Sequence, residues 1–311
     1  MIPHFDLVLE NQELGFFDRR SLGFDEINRI NPSLIWISIL PFGETGPYSN
    51  YLADDLILFH MSGNAHGMIG PVEDPNLEPP IRAGGYQSHM VAGLTASTAA
   101  MIANYRRLNT GEGCRIVVSE LNAMITMAIS GIANTAFDHP PPTRQLSKVE
   151  GSSIGGMVSA IGGVLKCNDG YVAISPREDA QWERWLDILG NPSWSKDEKF
   201  ISREGRQNNA SELWDRLTEW SSPKSKFDIA KWGQEKRIPC FPVNTIQDLL
   251  VDEHLEAREF FVEIAHTKAG NLLHPGLAYK LSNAELPKGM ISAPELGQHT
   301  EEILERYVKN E

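Results

Sequence analysis

The sequence predicts an α/β protein built on a parallel sheet. Two observations carry this prediction. Strands and helices alternate through the first half of the chain, and the strands are unbroken apolar runs, which are typical of strands covered on both faces. The predicted strands are 5–10 (FDLVLE), 34–40 (LIWISIL) and 114–120 (CRIVVSE), and the predicted helices are 22–31, 54–70, 90–105 and 121–137.

The helix over 90–105 lies in the stretch Pro79–Arg107. We expect the rest of the chain to be organised around this stretch. Its segment Met90–Tyr105 has no charged residue and many small ones. Because no face carries charge, the pattern predicts a helix that is buried all round. His89 stands where a Pro/Gly-rich loop enters this helix.

The second half of the chain has a different composition. Residues 138–163 are rich in Pro, then in Gly and Ser, and indicate a linker or mobile loop. A β-hairpin is predicted at 163–176, turning at Asn168-Asp169-Gly170, and five tryptophans at helical spacing indicate the core of a smaller helical domain. Further predicted elements are a helix ended by Gly190, two helices in 209–236, a helix at 245–261 starting near a capping box at Thr245, two strands in 262–276 and a helix at 299–307.

Composition excludes several classes of function. The net charge of −13, from 41 acidic and 28 basic residues, argues against nucleic-acid binding. Three well-separated cysteines, Cys114, Cys167 and Cys240, match neither a disulfide framework nor a metal site, so we expect a reducing cytoplasm. No signal peptide and no membrane span are expected, because the longest uncharged segment is short and contains polar residues.

Three candidate sites follow from the residues alone. His89 is either a base or ligand contact, or a side chain that caps its own helix. Asp54 and Asp55 are either paired carboxylates or, for Asp54, an N-cap. The loop PFGETGP (41–47) follows a buried strand, where open α/β sheets bind ligands, but an ordinary connector has the same composition. No phosphate-binding loop, dinucleotide fingerprint, HExxH or GxSxG motif is present.

Taken together, the segments resemble the class III CoA-transferases, the CaiB/BaiF family. The resemblance extends over nearly the whole chain and rests on many segments in family order. Among them are DRRSLGFDEINRINPSLIWISILPFGETGPY, DDLILFHMSGNAHGMIG, PPIRAGGYQSHMVAGLTAS, NTGEGCRIVVSE, GGVLKCNDGYVAISPREDAQWERW and LGQHTEEIL.

The resemblance implies transfer of CoA between an acyl-CoA thioester and a carboxylic acid. An aspartate of the family carries the acyl group as an anhydride and then CoA as a thioester, under a closing glycine loop. It also implies a Rossmann-like large domain with a smaller α+β domain, in interlocked dimers. Here the large domain would comprise 1–137 and a return segment 246–311, with linker and small domain at 138–245. No cofactor is expected to be tightly bound, since CoA is a substrate, and a homodimer or partner chain is expected.

The sequence departs from the family pattern in two respects. His89 occupies the position of the family aspartate, and imidazole cannot form a carboxylate-derived anhydride. The first residues match the middle of the family's large domain, so we expect its first βαβ part to be missing. Glu13 replaces a family arginine near CoA, whereas Arg19 and Asn11 match CoA-contacting positions.

These matches give the expected site. His89 and Asp55 are the candidate catalytic residues, and Asn11, Arg19, Gly43, Glu44, Gly155 and Gly156 are the candidate CoA-binding residues. The leading hypothesis is a CoA-transferase. The alternatives are a non-catalytic truncated or split chain that needs a partner, and an acyl-CoA racemase or isomerase that uses His89 and Asp55.

Overall fold

The computed structural model describes residues 1–66, 68, 71–72, 74, 77–137, 145–146, 163–176, 178–283 and 291–308. The chain divides into two compact units, Met1–Gly155 and Gly156–Glu311. The division expected at 137/138 and 245/246 stays a prediction.

The unit Met1–Gly155 contains the parallel sheet that the sequence predicts. Its elements are β1 (Leu7–Glu10), α1 (Phe24–Ile30), β2 (Ile35–Leu40), α2 (Asp55–Met61), β3 (Pro71–Val72), α3 (Gln87–Thr110), β4 (Cys114–Ser119), α4 (Glu120–Ile125), α5 (Ile129–Ala136) and β5 (Gln145–Leu146). Strands β1, β2 and β4 lie side by side in that order, all parallel, with Leu7 opposite Ile35 and Ile35 opposite Cys114. The α/β prediction is therefore confirmed.

Strand β2 is the middle strand, and its six residues are buried except for one intermediate position. It is covered on both faces, as its apolar run predicts. Ile35 and Ile37 pack against α3, whereas Trp36 packs with Leu34 and Ile27. The carboxyl ends of β2 and β4 meet at one edge, where open parallel sheets bind ligands.

The unit Gly156–Glu311 contains two antiparallel sheets and short helices. Its elements are β6 (Gly163–Cys167), β7 (Gly170–Ile174), α6 (Asp179–Leu189), α7 (Glu198–Ile201), α8 (Arg203–Asn208), α9 (Ala210–Ser221), α10 (Lys226–Glu235), β8 (Cys240–Pro242), α11 (Ile246–Leu250), α12 (Glu253–Ala257), β9 (Phe261–His266), β10 (Gly270–Pro275) and α13 (Thr300–Tyr307). The sheets are β6-β7-β8 and β9-β10.

Several predictions for this unit are confirmed. The hairpin turns at Asn168 and Asp169 between β6 and β7, and Gly190 ends α6 with a left-handed φ of 83°. Thr245 and Asp248 form the full capping box of α11. The five tryptophans belong to one core, with Trp182 and Trp185 buried and the other three partly buried against them.

Three predicted helices are wrong in extent. The helix over 54–70 ends at Met61, because Ser62 caps it and Gly63 follows with φ +82°. The helix over 121–137 is interrupted by a 3-10 turn at Thr126–Ala128, where the Thr126 hydroxyl donates to the Ala123 carbonyl at 2.6 Å. The helix over 245–261 is two short helices and the start of β9, because the Asp252 side chain caps a new start.

The prediction that helix α3 is buried all round is also wrong. One face, with Ser88, Ala92, Ala96 and Ala103, is buried, and its three alanines pack against the sheet. The opposite face is exposed and apolar, and it includes Met90, Leu94, Met101, Ile102, Tyr105 and Leu108. An uncharged helix face predicts that the face is buried in the functional protein. It does not predict whether residues of the same chain or of another chain cover it.

Candidate functional site

The carboxyl edge of the sheet brings three segments together. The loop after β2 contacts the start of α4, because the Leu121 amide donates to the Pro41 carbonyl at 3.0 Å. Gly43 is buried with φ +81°, and a Cβ at this position would lie 3.7 Å from Cβ of Ser119. Ser119 ends β4 and caps α4 by accepting a hydrogen bond from the Asn122 amide at 3.2 Å. The residue that follows this cap, Glu120, therefore lies at the edge where ligands are expected.

Glu120 is hydrogen-bonded to His89. Oε2 of Glu120 lies 2.5 Å from Nδ1 of His89, across 31 positions of sequence. The Glu120 side chain is 9% exposed and the His89 side chain 47%. Tyr86, just before α3, stacks on the His89 ring with centroids 6.0 Å apart and planes inclined by 23°. Glu120 therefore contacts Nδ1 of a ring whose side chain stays nearly half exposed.

This contact determines which nitrogen of His89 carries hydrogen. An ionised carboxylate only accepts hydrogen bonds, so Nδ1 is the donor, and in the neutral ring Nε2 is then the unprotonated nitrogen. Within the described part of the chain, Nε2 has no hydrogen-bond partner. His89 lies in the first turn of α3, but its side chain does not cap the helix. In the neutral ring, the lone pair of Nε2 therefore has no partner within the described part of the chain.

Asp55 is hydrogen-bonded to the first turn of α3. Its carboxylate is 2% exposed and accepts hydrogen bonds from the amide of Ser88 at 2.8 Å, from the hydroxyl of Ser88 at 2.9 Å and from Nη1 of Arg82 at 2.9 Å. Burial alone would raise the pKa of Asp55, but the Ser88 hydrogen bonds and the charge of Arg82 outweigh it and hold the pKa below its ordinary value.

Asp55 and His89 are thus brought together through Ser88, the residue before His89. An ionised carboxylate with three donors is a poor proton donor, so Asp55 suits a positioning role better than acid catalysis. Its neighbour Asp54 is exposed and caps α2 by accepting from the Ile57 amide at 3.1 Å, which confirms the N-cap interpretation of Asp54.

A narrow, partly acidic cleft lies beside β1 and β2, and of the candidate CoA-binding residues Glu44 lines it. Arg19 forms an ion pair with Glu13 and donates to the Leu14 carbonyl at 3.1 Å. Asn11 is exposed directly after β1, and Glu44 forms an ion pair with Arg115. The enclosed part of the cleft, lined by Glu10, Glu13, Trp36, Ser38, Glu44 and Arg115 among others, is about 20 Å³, which is room for one water molecule. Arg19 therefore faces a carboxylate of its own chain.

Two further predicted residues, Gly155 and Gly156, lie outside the described residues. Among those that are described, no group of three or more His, Cys, Asp or Glu side chains is arranged to hold a metal ion. No helix in the described ranges is long and apolar enough to span a bilayer.

Glu120 was missed in the sequence. The interval 114–120 was interpreted as one strand, so Glu120 became a strand residue, whereas β4 ends at Ser119 and Glu120 begins α4. A Ser-Glu pair at the carboxyl end of a buried parallel strand is a usable signal, because the serine caps a helix and the glutamate then lies at the ligand edge.

Known CoA-transferases are similar in sequence to most of this chain. A formyl-CoA:oxalate CoA-transferase of Streptomyces coelicolor is 27% identical over 97% of this chain and 74% of its own length. A Bradyrhizobium protein of the same name is 26% identical, over 99% and 74%.

Two solved structures share the fold. A CAIB/BAIF family protein from Brucella suis has a TM-score of 0.84 at 24% identity, covering 98% of this chain and 76% of that one. Rv3272 from Mycobacterium tuberculosis has a TM-score of 0.77 at 17% identity, covering 96% and 77%. Residues 1–300 match the sequence profile of CoA-transferase family III. The chain therefore belongs to CoA-transferase family III.

Proposed function

We propose that this chain transfers CoA between an acyl-CoA thioester and a carboxylic acid, with His89 as the reacting side chain. The observation that carries the proposal is the His89–Glu120 hydrogen bond at the carboxyl edge of the sheet. Family membership supports the reaction class, and relatives named formyl-CoA:oxalate CoA-transferases make formyl-CoA and oxalate the first substrates to test.

The transfer runs through an acyl-imidazole. Nε2 of His89 attacks the thioester carbonyl, the C–S bond breaks, and CoA leaves as the thiolate. The Glu120 carboxylate stabilises the positive charge that forms on the ring. The acceptor carboxylate then takes the acyl group from Nε2, which gives a mixed anhydride of the two acids and restores neutral imidazole. CoA thiolate attacks the acceptor carbonyl, and the donor acid leaves.

The substrate is held by the residues that resemblance assigns to CoA. Asn11 directly follows β1, Arg19 lies in the turn Asp18–Arg20 further along the same connection, and Gly43 and Glu44 follow β2. The resemblance also assigns Gly155 and Gly156 to CoA binding. CoA is a substrate in this proposal, and no tightly bound cofactor is required. A cytoplasmic location is supported by three cysteines, all within the described ranges and all unpaired.

A homodimer, interlocked as in the family, is part of the proposal. The exposed apolar face of α3 supports it, since such a face is costly to leave in water. The same face also favours the second candidate, a non-catalytic chain that needs a partner. The racemase alternative is less well supported, because its second acid or base would be Asp55, whose carboxylate is already occupied by three donors.

The test is a transfer assay with isotope-labelled acids. Formyl-CoA or acetyl-CoA is incubated with labelled oxalate and other small carboxylic acids, and new labelled thioesters are detected by mass spectrometry. We expect labelled acyl-CoA with the wild-type chain and none with His89→Gln. Calorimetry with CoA tests binding separately. A chain that binds CoA but makes no labelled thioester from any acid is not a transferase, and one that does not bind CoA supports the non-catalytic candidate.

A further inference from the structure

The unprotonated nitrogen of His89 is open to water as well as to a thioester. The imidazole has its Nδ1 engaged by Glu120, and nearly half of the side chain is exposed. Water can therefore approach Nε2 without displacing any contact made by the described residues. A histidine whose far nitrogen is held by a buried carboxylate is the arrangement that activates water or a hydroxyl group as a nucleophile.

We propose that the His89–Glu120 pair also hydrolyses acyl-CoA thioesters, with water as the acyl acceptor. Nε2 of His89 takes one proton from water while the water oxygen bonds to the thioester carbonyl carbon. The tetrahedral intermediate collapses with loss of the C–S bond. The departing CoA thiolate takes the proton back from the imidazolium, and the products are the free acid and CoA thiol. The inference rests on the proposed function only in that the site must bind an acyl-CoA.

Glu120 is the positioning residue in this reaction. Its side chain is nearly buried at the first position of α4, where the positive end of the helix favours a carboxylate. It directs Nε2 outward by accepting the Nδ1 hydrogen, and it stabilises the imidazolium that forms when Nε2 takes a proton. Glu120 touches neither water nor substrate, so its removal should change the rate of the chemical step and leave substrate binding intact.

The experiment measures thiol release from acetyl-CoA with no carboxylic acid present. Far-UV circular dichroism checks that each variant is folded. We expect the wild-type chain to release CoA thiol above the buffer rate, and His89→Gln to fall to the buffer rate. Glu120→Gln should lower kcat by about 10²- to 10⁴-fold with an unchanged KM, which is the size of effect that general-base catalysis supplies.

Two further variants separate positioning from folding. Glu120→Asp retains the charge and should recover part of the lost kcat, which a purely structural role would not predict. The matched control is His254→Gln, an exposed histidine on α12 in the other unit, and its rate should equal the wild-type rate. A His89→Gln chain as fast as wild type, or a folded Glu120→Gln chain with wild-type kcat, overturns the proposal.

The outcome also distinguishes this inference from the proposed function. If wild type transfers CoA to labelled acids but releases no thiol in their absence, only the hydrolysis proposal fails. If calorimetry detects no CoA binding and both assays are negative, the proposed function fails with it.

Discussion

Replacing Asp55 with asparagine should destabilise the entry of α3. The carboxylate accepts three hydrogen bonds, two from Ser88 and one from Arg82. Asparagine has one acceptor oxygen and one amide group, so one partner must face a donor instead. A hydrogen bond to a charged group contributes about 1.5–3 kcal/mol, and an unpaired buried donor costs about 1–3 kcal/mol. Because the Arg82 side chain is 37% exposed, solvent screens its share, and we expect a loss of about 2–4 kcal/mol.

The loss should depend on pH in a defined direction. The folded-state pKa of Asp55 is held below its unfolded-state value of about 3.9. Its stabilisation is therefore fully present above that unfolded-state value and is lost as pH falls through the lower folded-state pKa. The stability difference between wild type and Asp55→Asn should be constant at neutral pH and shrink below about pH 4.

The neighbouring residue Asp54 is a matched control. It caps α2 and is exposed, and asparagine is as good an N-cap as aspartate, so Asp54→Asn should change stability by less than about 0.5 kcal/mol. Urea unfolding gives the overall change, and hydrogen exchange of peptides over residues 84–95 locates it at the start of α3. If Asp55→Asn shifts neither measurement more than Asp54→Asn does, the hydrogen bonds of Asp55 do not stabilise the start of α3 and the reasoning is refuted.

Three other predictions concern binding, chemistry and assembly. Glu13→Gln removes the exposed ion pair between Glu13 and Arg19, which is worth about 0.2–1 kcal/mol. Arg19 is then free to bind CoA, so calorimetry should show CoA binding up to about fivefold tighter. The gain in affinity should diminish at high salt. His89→Asp places a carboxylate at this position, so hydroxylamine should produce an aspartyl hydroxamate in this variant alone. An aspartyl hydroxamate in wild type would contradict the imidazole route. Leu94→Glu places charge on the exposed face of α3, and light scattering should show a smaller assembly than wild type; an unchanged mass would remove this face from the interface.

The local features of the chain could be read from short segments. The buried strand β2 was predicted from its unbroken apolar run, and the hairpin at Asn168-Asp169-Gly170 and the end of α6 at Gly190 were predicted from residues that permit tight turns. Such signals depend on neighbours within a few positions. They were less reliable where a side chain restarts a helix, as Asp252 does within the segment predicted as one helix over 245–261.

The sequence by itself determined the fold class and the family resemblance, and it made His89 a candidate catalytic residue. The tertiary structure decided which side chain His89 contacts, because Glu120 is 31 residues away and lies at the start of α4, directly after β4. It likewise decided that Arg19 faces Glu13 and that one face of α3 is left open. Spacing along a chain encodes periodicity and turns, whereas hydrogen-bond partners across the sheet edge depend on packing between distant segments.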